Sequence, residues 1–123
     1  MITIDFQNRK PIYEQIIDRF QVLIMKGILA PDSQMPSVRS LAVELSINPN
    51  TIQKAYAALE QQGFIYSVKG RGNYVADCSG LREQKKQELF CKFRQYISYG
   101  REIGISKEEY QEVLEECWKE GMR

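Results

Sequence analysis

Residues 35–51, which read MPSVRSLAVELSINPNT, decide the fold of this chain. Ser37 can cap the free amides of a short helix over about 37–45, because the apolar residues that follow it recur at helical spacing. The Asn-Pro pair at 48–49 supplies a typical N-cap and first helical residue, and it predicts a second helix that ends near Gln62. Because so short a connection separates them, the two helices resemble the angled pair of a helix-turn-helix, a motif that most often reads DNA.

The segments on either side of this pair complete a recognisable order of elements. A helix over about 11–26 precedes it, with proline tolerated in its first turn and a glycine placed to stop it. After it come two β-rich runs, 64–68 and 73–76, which flank the sequence KGRG at 69–72. The two glycines of that sequence permit the positive φ angles of a tight turn, so a hairpin with a basic tip is expected.

Two further helices are predicted after the hairpin, over about 80–99 and 107–120. Gly100 and Gly104 are expected to bracket the turn between them. Ser106 begins a capping-box pattern, Ser-Lys-Glu-Glu, at the start of the last helix. The fold class is therefore mostly α with a small β-hairpin.

The C-terminal helices carry more apolar surface than one helical hairpin can bury within itself. The composition changes near 78–80, where we expect a boundary between a domain over 1–77 and a helical tail over 78–123. Packing against a second copy of the chain, or against the first helix, would cover the surplus surface. The residues expected at a dimer contact are Leu89, Phe93, Tyr96, Ile97, Tyr110, Leu114 and Trp118.

Composition excludes much enzymology. The 123 residues include no histidine, so the commonest general base and the commonest zinc ligand are missing. The three cysteines have no metal-ligand spacing, and we expect neither a metal nor another cofactor. No export signal or membrane-spanning run is visible, which predicts a protein of the reducing cytoplasm. The net charge is only +1, so an anionic partner must be held by local charge.

Such local charge lies at the predicted helix-turn-helix. Between residues 36 and 54 the single carboxylate is that of Glu44, and helix N-termini attract phosphate through their free amides. The polar side chains that open the second helix, those of Asn50, Thr51 and Lys54, are placed to reach base edges in the major groove. The two cations of the hairpin tip can enter a minor groove or straddle phosphates. The predicted DNA-binding residues are Ser37, Arg39, Asn48, Asn50, Thr51, Lys54, Lys69, Gly70, Arg71 and Gly72.

Two of the polar residues near this face also have structural interpretations. Asn48 is needed as a helix cap whether or not it touches a phosphate. Tyr56 shares a helical stripe with apolar residues, so its ring is expected to pack against the first helix rather than point its hydroxyl at DNA.

The chain resembles the GntR family of bacterial transcription regulators. The resemblance covers about residues 10–76: PIYEQI from Pro11, MPSVRSLA from Met35, NPNT from Asn48, AYAALE from Ala55, and KGRGNYV from Lys69. It implies a winged helix-turn-helix that binds operator DNA as a homodimer. The family's DNA contacts carry over to Arg39, to the polar residues that open the second helix, and to the wing around Gly70.

The short C-terminal tail is similar to that of the YtrA-type subgroup. It implies a two-helix dimerisation tail rather than a closed metabolite pocket, and repression of a neighbouring operon, for example one that encodes an ATP-binding-cassette transporter. Two alternatives stay open. One is a regulator gated by a small molecule at the dimer interface, lined by Tyr96, Tyr99 and Trp118; the other is a winged helix that binds a protein partner.

Overall fold

The computed structural model describes residues 2–121 and contains five helices and one hairpin among them. It divides into two compact units, one up to Arg82 and one from Glu83 onward. The predicted class, mostly helical with a hairpin after the helix-turn-helix and two C-terminal helices, is confirmed. The elements are α1 (Ile12–Met25), α2 (Val38–Leu45), α3 (Pro49–Gln61), β1 (Ile65–Val68), β2 (Gly72–Val75), α4 (Ser79–Glu102) and α5 (Lys107–Gly121).

The hydrophobic core of the first unit forms where α1 and α2 pack against α3. Phe20 of α1 meets Tyr56 of α3 edge to face, with ring centroids 5.7 Å apart. Tyr56 is 1% exposed, and its hydroxyl donates a hydrogen bond to the Pro36 carbonyl at 2.7 Å. The ring is therefore a core residue, as its place on the apolar stripe predicts, and the hydroxyl ties α3 to the start of α2.

Two side-chain caps and one left-handed residue set the turn between α2 and α3. The Ser37 hydroxyl accepts from the Ser40 amide at 3.0 Å, and the Asn48 side chain accepts from the Asn50 amide at 2.8 Å. Ser46 ends α2 at φ 55°, a conformation that redirects the chain within one residue. Both predicted caps are confirmed.

The hairpin pairs β1 and β2 antiparallel, with Tyr66 directly opposite Tyr74. Its turn places Gly70 at φ 78° and Gly72 at φ 107°, the left-handed values that the KGRG sequence was expected to need. A third extended segment, which no pattern in the sequence indicates, runs along the other edge of β2. Its backbone pairs Met35 with Asn73 and Ser33 with Val75.

The second unit contains most of α4 and all of α5. The α4 helix is longer than predicted and ends at Glu102, so Gly100 lies inside it rather than in the turn. The turn itself uses Gly104 at φ 91°, and Ser106 accepts from the Glu109 amide as expected of a capping serine. Gly100 is required for another reason, which is close packing against Tyr110 of α5.

Candidate nucleic-acid interface

The residues predicted to bind DNA lie at the starts of α2 and α3 and at the tip of the hairpin. Thr51 is half-buried and the other nine are exposed. Arg39 is the second residue of α2, where the free amides of the helix N-terminus add positive potential to its guanidinium. Asn50 occupies the same position of α3 relative to its own N-terminus. The hydrogen bond from the Tyr56 hydroxyl to the Pro36 carbonyl ties the middle of α3 to the segment that leads into α2.

A groove of about 900 Å³ separates α3 from the hairpin, which has the position of a wing. Three of the predicted wing residues, Lys69, Gly70 and Gly72, line one wall. The α3 wall presents Gln53, Ala57, Glu60 and Gln61, and the hairpin adds Ser67 and Asn73. The groove is polar and open to solvent.

Lys54 is not part of that groove. Its ammonium lies over the ring of Tyr13 in α1, with Nζ 3.9 Å from the ring centroid. Gln53, one residue earlier, faces the wing instead. Lys54 thus stands on the α1 side of α3, apart from the wing cations.

Two contacts brace the hairpin against the extended segment beside it. Gln34 Nε2 donates to the Arg71 carbonyl at 3.0 Å, next to the tip of the wing. The Tyr66 hydroxyl donates to Asp32 at 2.8 Å, and this hydrogen bond raises the pKa of the phenol. Tyr66 also stacks on Tyr74, with ring centroids 5.8 Å apart. These contacts connect the hairpin to the segment that precedes α2.

Sequence reasoning missed Gln53 and Gln34 as residues of this face. Lys54 was predicted to bind DNA because it is charged, and Gln53 was left out because it is not. Neighbouring residues of a helix point about 100° apart, so only one of these two can face the wing. Gln34 lies in a segment too short to show a strand pattern. The one signal available for Gln34 was that it is polar and lies between a Pro-Asp turn and a methionine that is buried.

The tail carries the second set of predicted residues. Tyr96, Trp118, Leu89, Leu114 and Phe93 are exposed by about half or more, with Tyr96 at 70% and Trp118 at 69%. A groove of about 690 Å³ between α4 and α5 is lined in part by Phe93, Ile97, Tyr110 and Leu114. The three aromatic residues expected around a small-molecule site, Tyr96, Tyr99 and Trp118, are not among its lining residues.

Within residues 2–121 no group of three or more histidine, cysteine or carboxylate side chains is arranged to hold a metal ion. Across the same residues, no helix combines the length and apolar character that crossing a bilayer requires.

The fold and the site define a class of protein. A helix-turn-helix followed directly by a wing, with polar and cationic side chains on both, is the architecture of a winged-helix DNA-binding regulator. The chain belongs to the gntR family of bacterial regulatory proteins, whose sequence model matches residues 12–75. It is a transcription regulator and not an enzyme.

Similarity to known proteins extends beyond residues 12–75. The chain is 39% identical over 118 residues to the HTH-type transcriptional repressor YtrA of Bacillus subtilis (strain 168), covering 94% of this chain and 91% of that protein. A GntR family transcriptional regulator from Listeria monocytogenes is 35% identical with a TM-score of 0.73, covering 90% of this chain and 98% of that one. The AraR DNA-binding domain, solved in complex with operator ORX1, is 31% identical with a TM-score of 0.56. This similarity covers 61% of this chain and 96% of that one.

Proposed function

We propose that this chain is a repressor that binds a palindromic operator as a homodimer. The observation that carries the proposal is the face built from the starts of α2 and α3 together with the braced wing, on which nine of the ten predicted DNA-binding residues are exposed. YtrA, to which the chain is similar along almost its whole length, is named as a repressor, and the similar AraR domain was solved on an operator.

In this proposal each part of the face has a role in DNA binding. Asn50 and Thr51 read base edges in the major groove, and Arg39 binds phosphate beside the N-terminus of α2. Lys69 and Arg71 bind the backbone or the minor groove from the wing. The full set is Ser37, Arg39, Asn48, Asn50, Thr51, Lys54, Lys69, Gly70, Arg71 and Gly72.

The dimer contact is proposed to be the tail, over residues 78–123, with 1–77 as the DNA-binding domain. Support comes from the exposed apolar side chains on α4 and α5 and from the groove between these helices. A two-fold dimer would present its recognition helices to successive major grooves, about 34 Å apart. The contact residues are Leu89, Phe93, Tyr96, Ile97, Tyr110, Leu114 and Trp118.

The proposed target is an operon next to the regulator's own gene, such as one for an ATP-binding-cassette transporter, and the proposed site of action is the cytoplasm. Repression would follow from an operator that overlaps the promoter and excludes polymerase.

Selection from a random duplex library tests the proposal. The purified chain is mixed with the library at near-physiological salt, retained duplexes are sequenced, and the selection is repeated at higher salt. An enriched palindrome with half-sites about one helical turn apart is expected. Retention that falls with salt and shows no motif would contradict sequence-specific repression. A chain that retains no duplex would favour a protein partner for the same face.

A further inference from the structure

The contact partner of the Lys54 ammonium is an aromatic ring, whereas the usual partner of a lysine in an ion pair is a carboxylate. Its Nζ lies 3.9 Å from the centroid of the Tyr13 ring, and within residues 2–121 no carboxylate oxygen comes within 4.0 Å of it. A ring face attracts an ammonium without neutralising it. Within residues 2–121 the Lys54 ammonium therefore has no carboxylate beside it, and the ring restricts where its three donors can be.

The position of this pair separates it from the wing. Tyr13 is the second residue of α1, and α1 packs against α3. Gln53 faces the groove between α3 and the wing, so the side chain of Lys54, about 100° further round the helix, leaves α3 on a different side. One side of α3 thus faces Lys69 of the wing across the groove, and Lys54 leaves α3 on another side.

We propose that Tyr13 is a positioning residue that holds the Lys54 ammonium for a DNA phosphate on the α1 side of the recognition helix. From the sequence alone, Lys54 is predicted to reach a base edge. The geometry points to a backbone contact instead, because the ring draws the ammonium sideways toward α1. This inference rests on the proposed function, since it assumes that α3 enters a groove of duplex DNA.

A phosphate contact and a base contact leave different signatures. Loss of a phosphate-binding cation weakens binding to every sequence alike and reduces the slope of log affinity against log salt by about 1. Loss of a base contact relaxes preference at one position and leaves most of the salt slope in place. The two probes are the duplex enriched by the selection above and a scrambled duplex of the same length and composition.

Four variants complete the test: Lys54→Ala, Tyr13→Leu, Tyr13→Phe and the double variant Lys54→Ala/Tyr13→Leu. Tyr13→Phe keeps the ring and is the matched control. We expect Lys54→Ala to weaken binding to both duplexes by the same factor, about three- to tenfold for each cation lost. The salt slope should fall by about 2, because each protomer of the proposed homodimer loses one phosphate-binding cation. Tyr13→Leu should show a smaller loss of the same kind, Tyr13→Phe almost none, and the double variant no more than Lys54→Ala.

A second readout does not need DNA. In the free chain, the ring current of Tyr13 should shift the Lys54 side-chain methylene protons upfield in NMR spectra. That shift should survive in Tyr13→Phe and vanish in Tyr13→Leu, and the rest of the spectrum shows that both variants are folded.

Several results would overturn the inference. Lys54→Ala could change preference at one base pair and leave the salt slope unaltered, or Tyr13→Leu could add its full effect to that of Lys54→Ala. Equal methylene shifts in the Leu and Phe variants would also contradict it. A wild-type chain that retains no duplex is a separate outcome, which overturns the proposed function together with any phosphate role of Lys54.

Discussion

The hydroxyl of Tyr110 occupies the space that a side chain at Gly100 would fill. A Cβ at position 100 would lie 1.6 Å from Tyr110 Oη and 2.7 Å from Cζ, far inside van der Waals contact. The same hydroxyl can donate a hydrogen bond to either of two backbone carbonyls of α4. It lies 3.1 Å from the Tyr96 oxygen and 3.4 Å from the Ile97 oxygen. This pair sets how closely α5 approaches α4 in the tail.

Gly100→Ala should therefore destabilise the tail. The added methyl group forces the Tyr110 ring from its place, and overpacking of this kind costs about 1–3 kcal/mol. Gly80→Ala is the matched control, because that position is also in α4 and a Cβ there meets no heavy atom within 4 Å. Thermal unfolding followed by circular dichroism measures both. Equal melting temperatures for the two variants would show that Tyr110 moves aside without cost.

The sequence predicted every helix and the hairpin because their signals are local. Ser37, Asn48 and the Asn-Pro pair mark helix starts regardless of what packs above them. Gly100 was misplaced because glycine at a helix end and glycine under a packed ring look alike in one sequence. The need for it comes from Tyr110, ten residues further on, and only the three-dimensional structure shows that approach.

Fewer residues of the proposed DNA-binding face than of the fold could be predicted from the sequence. Exposed polar residues at helix starts were identified from charge and capping patterns alone. The direction of Lys54 was not, because it depends on Tyr13, which lies 41 residues away in the chain and on another helix. The brace from Gln34 to the wing was missed for the same reason, since a single side-chain contact across 37 residues leaves no periodic signal.

Tyr56→Phe should lower stability at neutral pH by about 0.5–1.5 kcal/mol, the usual net worth of one hydrogen bond, because the Pro36 carbonyl loses its donor. The variant should also change the pH dependence. Burial raises the pKa of the Tyr56 phenol above its ordinary value of 10.0. In the unfolded chain the phenol ionises near pH 10, whereas in the folded chain it stays protonated, so the wild type loses stability as pH rises above 10. The Tyr56→Phe variant has no phenol at this position, so it lacks this loss of stability at high pH.

Urea unfolding of both proteins at pH 7 and pH 11 measures that difference. The gap in unfolding free energy between wild type and Tyr56→Phe should narrow or reverse at the higher pH. A constant gap would mean that the Tyr56 hydroxyl ionises as readily in the folded chain as in the unfolded one.

Gln34→Ala should weaken operator binding while leaving the fold intact. Without the bond to the Arg71 carbonyl, the tip of the wing must be ordered at the moment of binding, which we expect to cost about three- to tenfold in affinity. Gln21→Ala is the control, since it removes an exposed side-chain bond to Gln62 away from the wing. Fluorescence anisotropy with the enriched duplex compares them. Equal affinities for the two variants would show that the wing needs no brace.

Leu114→Glu should convert the proposed dimer into a monomer. Leu114 is half-exposed and lines the groove between α4 and α5, so a carboxylate there would be buried against apolar residues of a partner. Sedimentation equilibrium measures the association constant, and Glu112→Gln on the same helix is the control. A wild-type chain that sediments as a monomer, or a Leu114→Glu chain that still dimerises, would exclude this groove as the dimer contact.

The most direct test of DNA recognition by this face is the affinity of Arg39→Ala for the enriched duplex. Arg82→Ala serves as the control because it removes the same charge from an exposed position at the start of α4. We predict a loss of at least about tenfold for Arg39→Ala, as expected for a charged hydrogen bond, and almost none for Arg82→Ala, with both proteins as stable as the wild type. Unchanged affinity in Arg39→Ala would contradict the assignment of this face to operator DNA.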